Sequence, residues 1–202
     1  MSHYFCSQIA GDRVTFEIAS VPENRVRSWV ERVTEGTESC LDFGAGIFTY
    51  IKAAKSKRRA GIEAFEPYCQ AALEDPACLD INIYHGDMRK FQLLTFDEFE
   101  VALFIDSLEH LSKADALTLL RLCQDRFKRI AAFVPVGNHV NPISDNNELQ
   151  LHLSTWESKD LENLGFSVIV DAGFHHTNPP DKRAAMFAVW NRSQEWPSQP
   201  HP

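Results

Sequence analysis

The stretch SCLDFGAGIFTY, Ser39 to Tyr50, decides how this chain is read. An apolar run ends at Asp42, and two glycines, Gly44 and Gly46, follow one residue apart. That is the pattern of a strand entering a tight turn, where the missing Cβ lets backbone approach a ligand closely. A phosphate-cradling loop needs GxxxxGK[ST], and the sequence holds no such match. A dinucleotide fingerprint needs G-x-G-x-x-G, and its third position counted from Gly44 is Thr49. The break counts against a nicotinamide-dependent oxidoreductase, which stays as an alternative.

Working outward from this turn, apolar runs alternate with helical patterns, the rhythm of an open α/β sheet. ESCLDF (38–43) reads as the first strand of the sheet, and IFTYIKAAKSK (47–57) as the helix after it. RAGIEAF (59–65) is a second strand, and Pro67 suits the first turn of a helix through YCQAALE. INIYHGD (81–87) is a third strand, and EVALFID (100–106) a central strand buried on both faces. KADALTLLRLCQDRF (113–127) carries Leu117, Leu120 and Phe127 on a helical pattern. RIAAFVPVG (129–137) is a fifth strand, followed by an irregular loop over 138–153. A helix is expected from Ser154 or Thr155, with Gly165 as its stop. SVIVDAG and RAAMFAVWN then close the sheet as an antiparallel edge pair. Residues 1–35 read as a strand or hairpin, RVTFEI, and a helix, ENRVRSWVERV. The whole is expected to be one doubly wound, Rossmann-like α/β domain of about seven strands over 1–192, with a disordered tail over 193–202.

Bulk properties narrow the partners. The 202 residues are 44% apolar and 24% charged, with a formal net charge of −8. That acidity disfavours non-specific binding to phosphate backbones, so nucleic acid is not the expected partner. The one basic cluster, KAAKSKRR (52–59), reads as the solvated face and C-terminal end of a helix. The five cysteines show no CxxC, which with no signal-like segment implies reduced thiols in a cytoplasmic protein. No run is long and apolar enough to span a bilayer.

The residues agree better with S-adenosylmethionine than with a dinucleotide. This ligand has no pyrophosphate, so Gly44 and Gly46 suffice to admit its aminoacyl part. Asp42 would fix the loop or bind the ammonium group, directly or through water. CLDFGAG, GIEAFEPY, YHGDM and VALFIDSLEHL, in that order, resemble the successive motifs of the class I S-adenosylmethionine-dependent methyltransferases. FVPVGN and HLSTW…DLENLGF resemble the end of small stand-alone members. The resemblance spans about residues 37–190 and implies S-adenosylmethionine as cofactor. It also implies a cofactor set of Asp42, Phe43, Gly44, Gly46, Glu63, Asp87, Met88 and Asp106. Glu63 would accept from the ribose hydroxyls, with Glu66 as the other candidate. Asp87 would accept from the adenine amino group beside Met88. The third-glycine position, filled around Ile47-Phe48, departs from the family pattern and leaves a non-catalytic binding module as an alternative.

Methyl transfer from a sulfonium is mostly alignment of acceptor, methyl and sulfur. If the acceptor is a hydroxyl, a histidine base suits neutral pH. His110 and His152 are the expected catalytic candidates, with His139 also near the sheet's C-terminal edge. Loop anchoring is the plainer role for His152, and local hydrogen bonding for His110. His175-His176 reads as surface, and Trp156 as a helix-face anchor first and an acceptor-stacking ring second. Asp106-x-x-Glu109-His110 also places three ligand-type residues around one turn. It resembles the ExxEH cluster that binds a divalent metal in small-RNA and ubiquinone-pathway O-methyltransferases, with His139 or His152 as a further ligand. Asp106 is equally expected to line the cofactor pocket, and no metal is assigned. The acceptor is expected to be a small molecule or sugar, methylated on oxygen, under the 138–153 loop and the N-terminal segment. The oligomeric state does not follow from the sequence.

Overall fold

The computed structural model describes residues 5–9, 12–16, 22–93, 99–139, 146–174 and 184–192. The expected tail, His175-His176 and residues 140–145 of the long loop lie outside them. An N-terminal hairpin, β1 (Phe5–Ile9) and β2 (Asp12–Phe16), pairs antiparallel and precedes helix α1 (Pro22–Thr34).

The sheet is built from β3 (Ser39–Phe43), β4 (Arg58–Glu63), β5 (Ile81–His85), β6 (Val101–Ile105), β7 (Arg129–Pro135), β8 (Ser167–Asp171) and β9 (Ala185–Asn191). Its order is β5-β4-β3-β6-β7-β9-β8. The first five strands of that order are parallel, and β9 runs antiparallel to both β7 and β8. The strand order reverses between β3 and β6, and such a switch point leaves a crevice at the strands' carboxyl ends.

Side chains alternate across the sheet and fill two cores. Leu41, Phe43, Phe104 and Ile62 pack with α3 (Lys113–Gln124) and α4 (Ser158–Glu162) on one face. Cys40, Leu103, Ile105 and Phe133 pack with Val26, Trp29 and Val30 of α1 on the other. Helix α2 (Glu66–Glu74) starts with Pro67 in its first turn, as read from the sequence. β6 is buried at every position, which fits its central place. Among the described residues, no helix is long and apolar enough to cross a membrane.

Three local expectations are corrected. The helix over 47–57 does not form; a chain of turns and one 3-10 turn, Ile51–Ala53, replace it. Phe48 is the cause. It takes a left-handed φ of 62° and is fully buried. That conformation costs about 1–2 kcal/mol, and burying a phenylalanine returns about 1.5–3 kcal/mol. Its ring lies against β4, where a Cβ on Gly61 would stand 2.6 Å from Phe48 Cε1. The close approach that a third loop glycine would give is thus supplied by Gly61 on the neighbouring strand.

The basic cluster consequently lies on turns and on β4, not on a helix. Lys52 pairs with Asp75 at 2.5 Å, Lys55 with Glu31 at 3.2 Å, Lys57 with Glu38 at 2.8 Å, and Arg59 with Asp80. The helix expected from Ser154 starts later, at Ser158, where the Glu157 amide donates to Asp160 Oδ2 at 2.8 Å. Ser154 instead accepts from the indole of the buried Trp156 at 3.0 Å. Gly165, at φ 82°, does end that segment. Cys40, Cys69, Cys78 and Cys123 are buried free thiols.

Candidate functional site

The carboxyl ends of β3, β4, β5 and β6 open onto a cavity of about 470 Å³. Gly44 and Gly46 line it, as do Glu63, Asp87, Met88, Asp106 and His110. The sequence reading therefore brings most of its candidates to one place. Three it does not. Phe43 is a core residue, stacked on Phe104 at 4.7 Å between centroids. Residues of a β-strand alternate between faces, so Phe43 lies in the core shared with α3 and α4. Asp42 is buried beneath the loop and His152 behind Glu109; neither lines the cavity. Among the described residues, the N-terminal segment contributes nothing to the walls, because α1 packs on the sheet face, with Trp29 edge-on to Phe187. The returning loop does contribute, through Asn147, Leu149, Gln150 and Leu153.

The glycine turn is held from both sides. The amides of Gly44 and Ala45 donate to the Ile62 carbonyl at 2.9 and 3.0 Å. The Gly46 amide donates to Glu63 Oε2 at 2.8 Å, and the Phe65 amide to Glu63 Oε1 at 2.7 Å. Burial raises the Glu63 carboxyl, and these two amides pull it back. Each carboxylate oxygen has a further lone pair, so Glu63 can still accept from two hydroxyls. Gly44, at φ 74°, has no room for a side chain, since a Cβ would stand 2.9 Å from Ser107 Cβ.

At the next strand end, Asp87 is ionised by its neighbour. Arg89 donates to both carboxylate oxygens, at 3.0 Å from Nε and 2.6 Å from the guanidinium terminus, and holds Asp87 below the usual carboxylate range. Arg89 itself lines the cavity and was missed in the sequence, as were Ser107 and Asn147. Ser107 could have been found as the neighbour of a strand-end acid. Asn147 carried no local signal.

The end of β6 is different in character. Asp106 takes a φ of 48°, in the small left-handed region that aspartate and asparagine enter more often than most non-glycine residues. Burial pushes its carboxyl up to about 7. Glu109 is fully buried, and burial with the nearby Asp106 raises it well above its ordinary value. Its Oε2 has no hydrogen-bond partner. Asp42 is likewise pushed up, to about 8, by burial and by Glu63, and its Oδ1 is unpartnered.

The loop returning from 146 is stitched to this end. The amides of Leu153 and Ser154 both donate to the Glu109 carbonyl, at 2.8 and 3.1 Å. His110 Nδ1 lies 3.2 Å from the Leu151 carbonyl, and His152 Nδ1 lies 2.9 Å from that of His139. A carbonyl only accepts, so each Nδ1 carries the hydrogen and each Nε2 keeps its lone pair. The two rings meet edge to face, 4.9 Å apart. Burial lowers both imidazoles, His152 to about 4 with help from the charge of His110, so both are neutral at pH 7.

With this geometry in hand, comparison places the fold. The N-terminal domain of EvdMO1, in the presence of SAH and D-fucose, superposes with a TM-score of 0.59 at 14% identity, covering 93% of this chain and 90% of that one. Magnesium protoporphyrin IX methyltransferase from Synechocystis PCC 6803, with bound SAH, gives 0.59 at 14% identity, over 85% and 82% of the two chains. The fold is that of the class I methyltransferases. Small RNA methyltransferase HEN1 gives 0.60 at 16% identity and covers 95% of this chain, which matches only 28% of HEN1. No family model and no curated protein matches the sequence.

Proposed function

We propose that this chain transfers a methyl group from S-adenosylmethionine to an oxygen of a small molecule. The observation that carries the reading is the single cavity that joins the glycine turn to Glu63, Asp87, Met88 and His110. Glu63 would take the ribose hydroxyls, Asp87 the adenine amino group, and Met88 the adenine face. SAH in several structures of this fold supports the same ligand class. The missing helix supports it further. A helix N-terminus at this turn attracts anions such as pyrophosphate, and this loop has none, which suits a sulfonium better than a dinucleotide.

The acceptor would enter beside His110, under Asn147 and Leu153. Its oxygen forms the new O–CH3 bond as the C–S bond breaks, and the C–S electron pair stays on sulfur, giving SAH. The acceptor's proton passes to the neutral Nε2 of His110. A small acceptor is favoured because Glu63, Asp87, Asp106 and Asp115 line the cavity while its lining arginine, Arg89, is paired with Asp87, a poor surface for a phosphate backbone.

Calorimetric titration with S-adenosylmethionine, SAH and NAD tests the reading. Micromolar binding of the sulfur ligands without NAD is expected, and binding of NAD alone would overturn it. Tight cofactor binding with no product on a panel of hydroxylated acceptors would favour a non-catalytic module.

A further inference from the structure

We infer that the acceptor is an amphipathic molecule. Its apolar body lies against Ile47, Leu149 and Leu153, and a second oxygen, such as a carbonyl, takes a hydrogen from the Asn147 amide. This class rests on the methyl-transfer reading, whose acceptor it names.

Ile47, Leu149 and Leu153 are 56%, 52% and 63% exposed, and all three line the cavity. Apolar side chains scattered singly over a surface need no explanation. These three converge on one cavity from two segments far apart in the sequence, the glycine turn and the returning loop. The loop that carries the leucines is pinned at alternate residues. The Leu149 amide donates to Asn147 Oδ1 at 3.0 Å, the Leu151 carbonyl lies 3.2 Å from His110 Nδ1, and the Leu153 amide donates to the Glu109 carbonyl at 2.8 Å. The backbone is therefore held in place while two leucine side chains stand uncovered in the cavity wall. Covering them with an apolar ligand takes that area out of water, the usual source of affinity in such a cavity. A free sugar carries a hydroxyl on most of its carbons, and against these side chains those hydroxyls would lose water without gaining partners.

Asn147 sets the polar end. It is 1% exposed and lines the cavity, and its Nδ2 has no hydrogen-bond partner among the described residues. The Leu149 amide occupies Oδ1, which identifies the other atom as the nitrogen and holds the side chain in place. A buried donor without a partner is costly, and an oxygen of the bound acceptor removes that cost. His110 lines the same cavity and takes the hydroxyl to be methylated. One molecule thus has to offer an apolar body, a hydroxyl and a further oxygen that accepts. Hydroxylated aromatic ketones, esters and lactones have that chemistry.

The test titrates the full chain, with and without SAH, against three probes. Umbelliferone has an apolar body, a hydroxyl and a carbonyl; naphthol lacks the carbonyl; glucose lacks the apolar body. Fluorescence follows the first two and calorimetry the third. Umbelliferone should bind saturably and at least about tenfold more tightly than glucose. The double variant Leu149→Ser/Leu153→Ser should weaken both aromatic probes by about tenfold. Leu73→Ser, at an exposed leucine outside the cavity, should leave them unchanged. Asn147→Asp keeps the oxygen that the Leu149 amide needs and removes the donor. It should weaken umbelliferone by about fivefold or more and spare naphthol, a split that damage to the loop would not produce. Glucose bound as tightly as the aromatics, aromatic binding indifferent to the two leucines, or no saturable aromatic binding to SAH-loaded protein would overturn the apolar wall. Equal loss of both aromatics in Asn147→Asp would overturn the amide contact. Calorimetry with SAH on the same sample separates the two proposals. Aromatic binding that follows the leucines without any SAH uptake sinks only the methyl-transfer reading. SAH uptake with no aromatic binding sinks only the amphipathic acceptor.

Discussion

Glu63, at the end of β4, and Glu109, just past the end of β6, are both buried acids beside one cavity, 7% and 1% exposed. Their surroundings are opposite. Glu63 has an amide on each oxygen and pins the glycine turn; Glu109 has an oxygen with no partner. The first strand end is complete as it stands, closed by Phe48 packing against Gly61. The second is left-handed at Asp106, as the first is at Phe48, but it is also unsatisfied at Glu109. A satisfied buried acid shapes a wall, and an unsatisfied one costs stability for as long as nothing partners it.

If that contrast is right, substitutions at the two ends should differ in sign. The largest effect belongs to Phe48→Ala, which empties the first end and should cost about 3–5 kcal/mol in urea denaturation. Gly61→Val should cost about 1–3 kcal/mol by overpacking the same spot. In Phe48→Ala, that second change should cost less than it does alone, because the ring it strikes is gone while Ala45 Cβ, 2.8 Å from the added Cβ, remains. Additive losses would mean the two residues do not share one packing site.

Glu63→Ala comes next. It removes the anchor of the Gly46 amide and the acceptor for the ribose, and should weaken S-adenosylmethionine binding by about 10–100-fold, roughly the worth of one charged hydrogen bond. Unchanged affinity by calorimetry would move the ribose contact to Glu66.

The pH profile of stability probes the unsatisfied acids. Carboxyls raised in the fold hold their proton more tightly folded than unfolded. Their contribution is therefore complete below the unfolded range near pH 4 and is lost as pH rises through about 7 for Asp106 and about 8 for Asp42. His152, lowered to about 4, acts in the opposite sense between pH 4 and about 6.5. Between pH 6.5 and 8.5 the His152 effect is over, and Asp106 and Asp42 together should lower the unfolding free energy by about 2–3 kcal/mol. Asp42→Asn should flatten part of that slope; an unaltered slope would leave Asp42 out of it.

The smallest effect is a gain. Glu109→Leu should stabilise by about 1 kcal/mol, since it removes a buried polar atom without a partner. Destabilisation would show that Glu109 is structurally satisfied and erase the contrast with Glu63.

Much of the architecture was legible because it is local. Strands 58–63, 81–85 and 101–105 each have an acid at or just past the end, and the order of those acids brought Glu63, Asp87 and Asp106 to one cavity. The helix over 47–57 was misread because Ile47, Ile51 and Ala54 have helical spacing. What overrode that spacing was a ring on Phe48 fitting a glycine on the next strand, which is a tertiary fact. Phe43 was assigned to the cofactor from its place in a motif, while strand alternation puts its side chain in the core. The meeting of His152 with Glu109 depends on a loop return that no short window of sequence encodes.

The left-handed backbone at Asp106 has an evolutionary consequence. Glycine or asparagine adopts that conformation more readily, and each would also discard a buried acid. Selection for heat tolerance alone should therefore enrich Gly or Asn at position 106. Retention of Asp106 under that selection would point to work at the cavity that neither glycine nor asparagine can do.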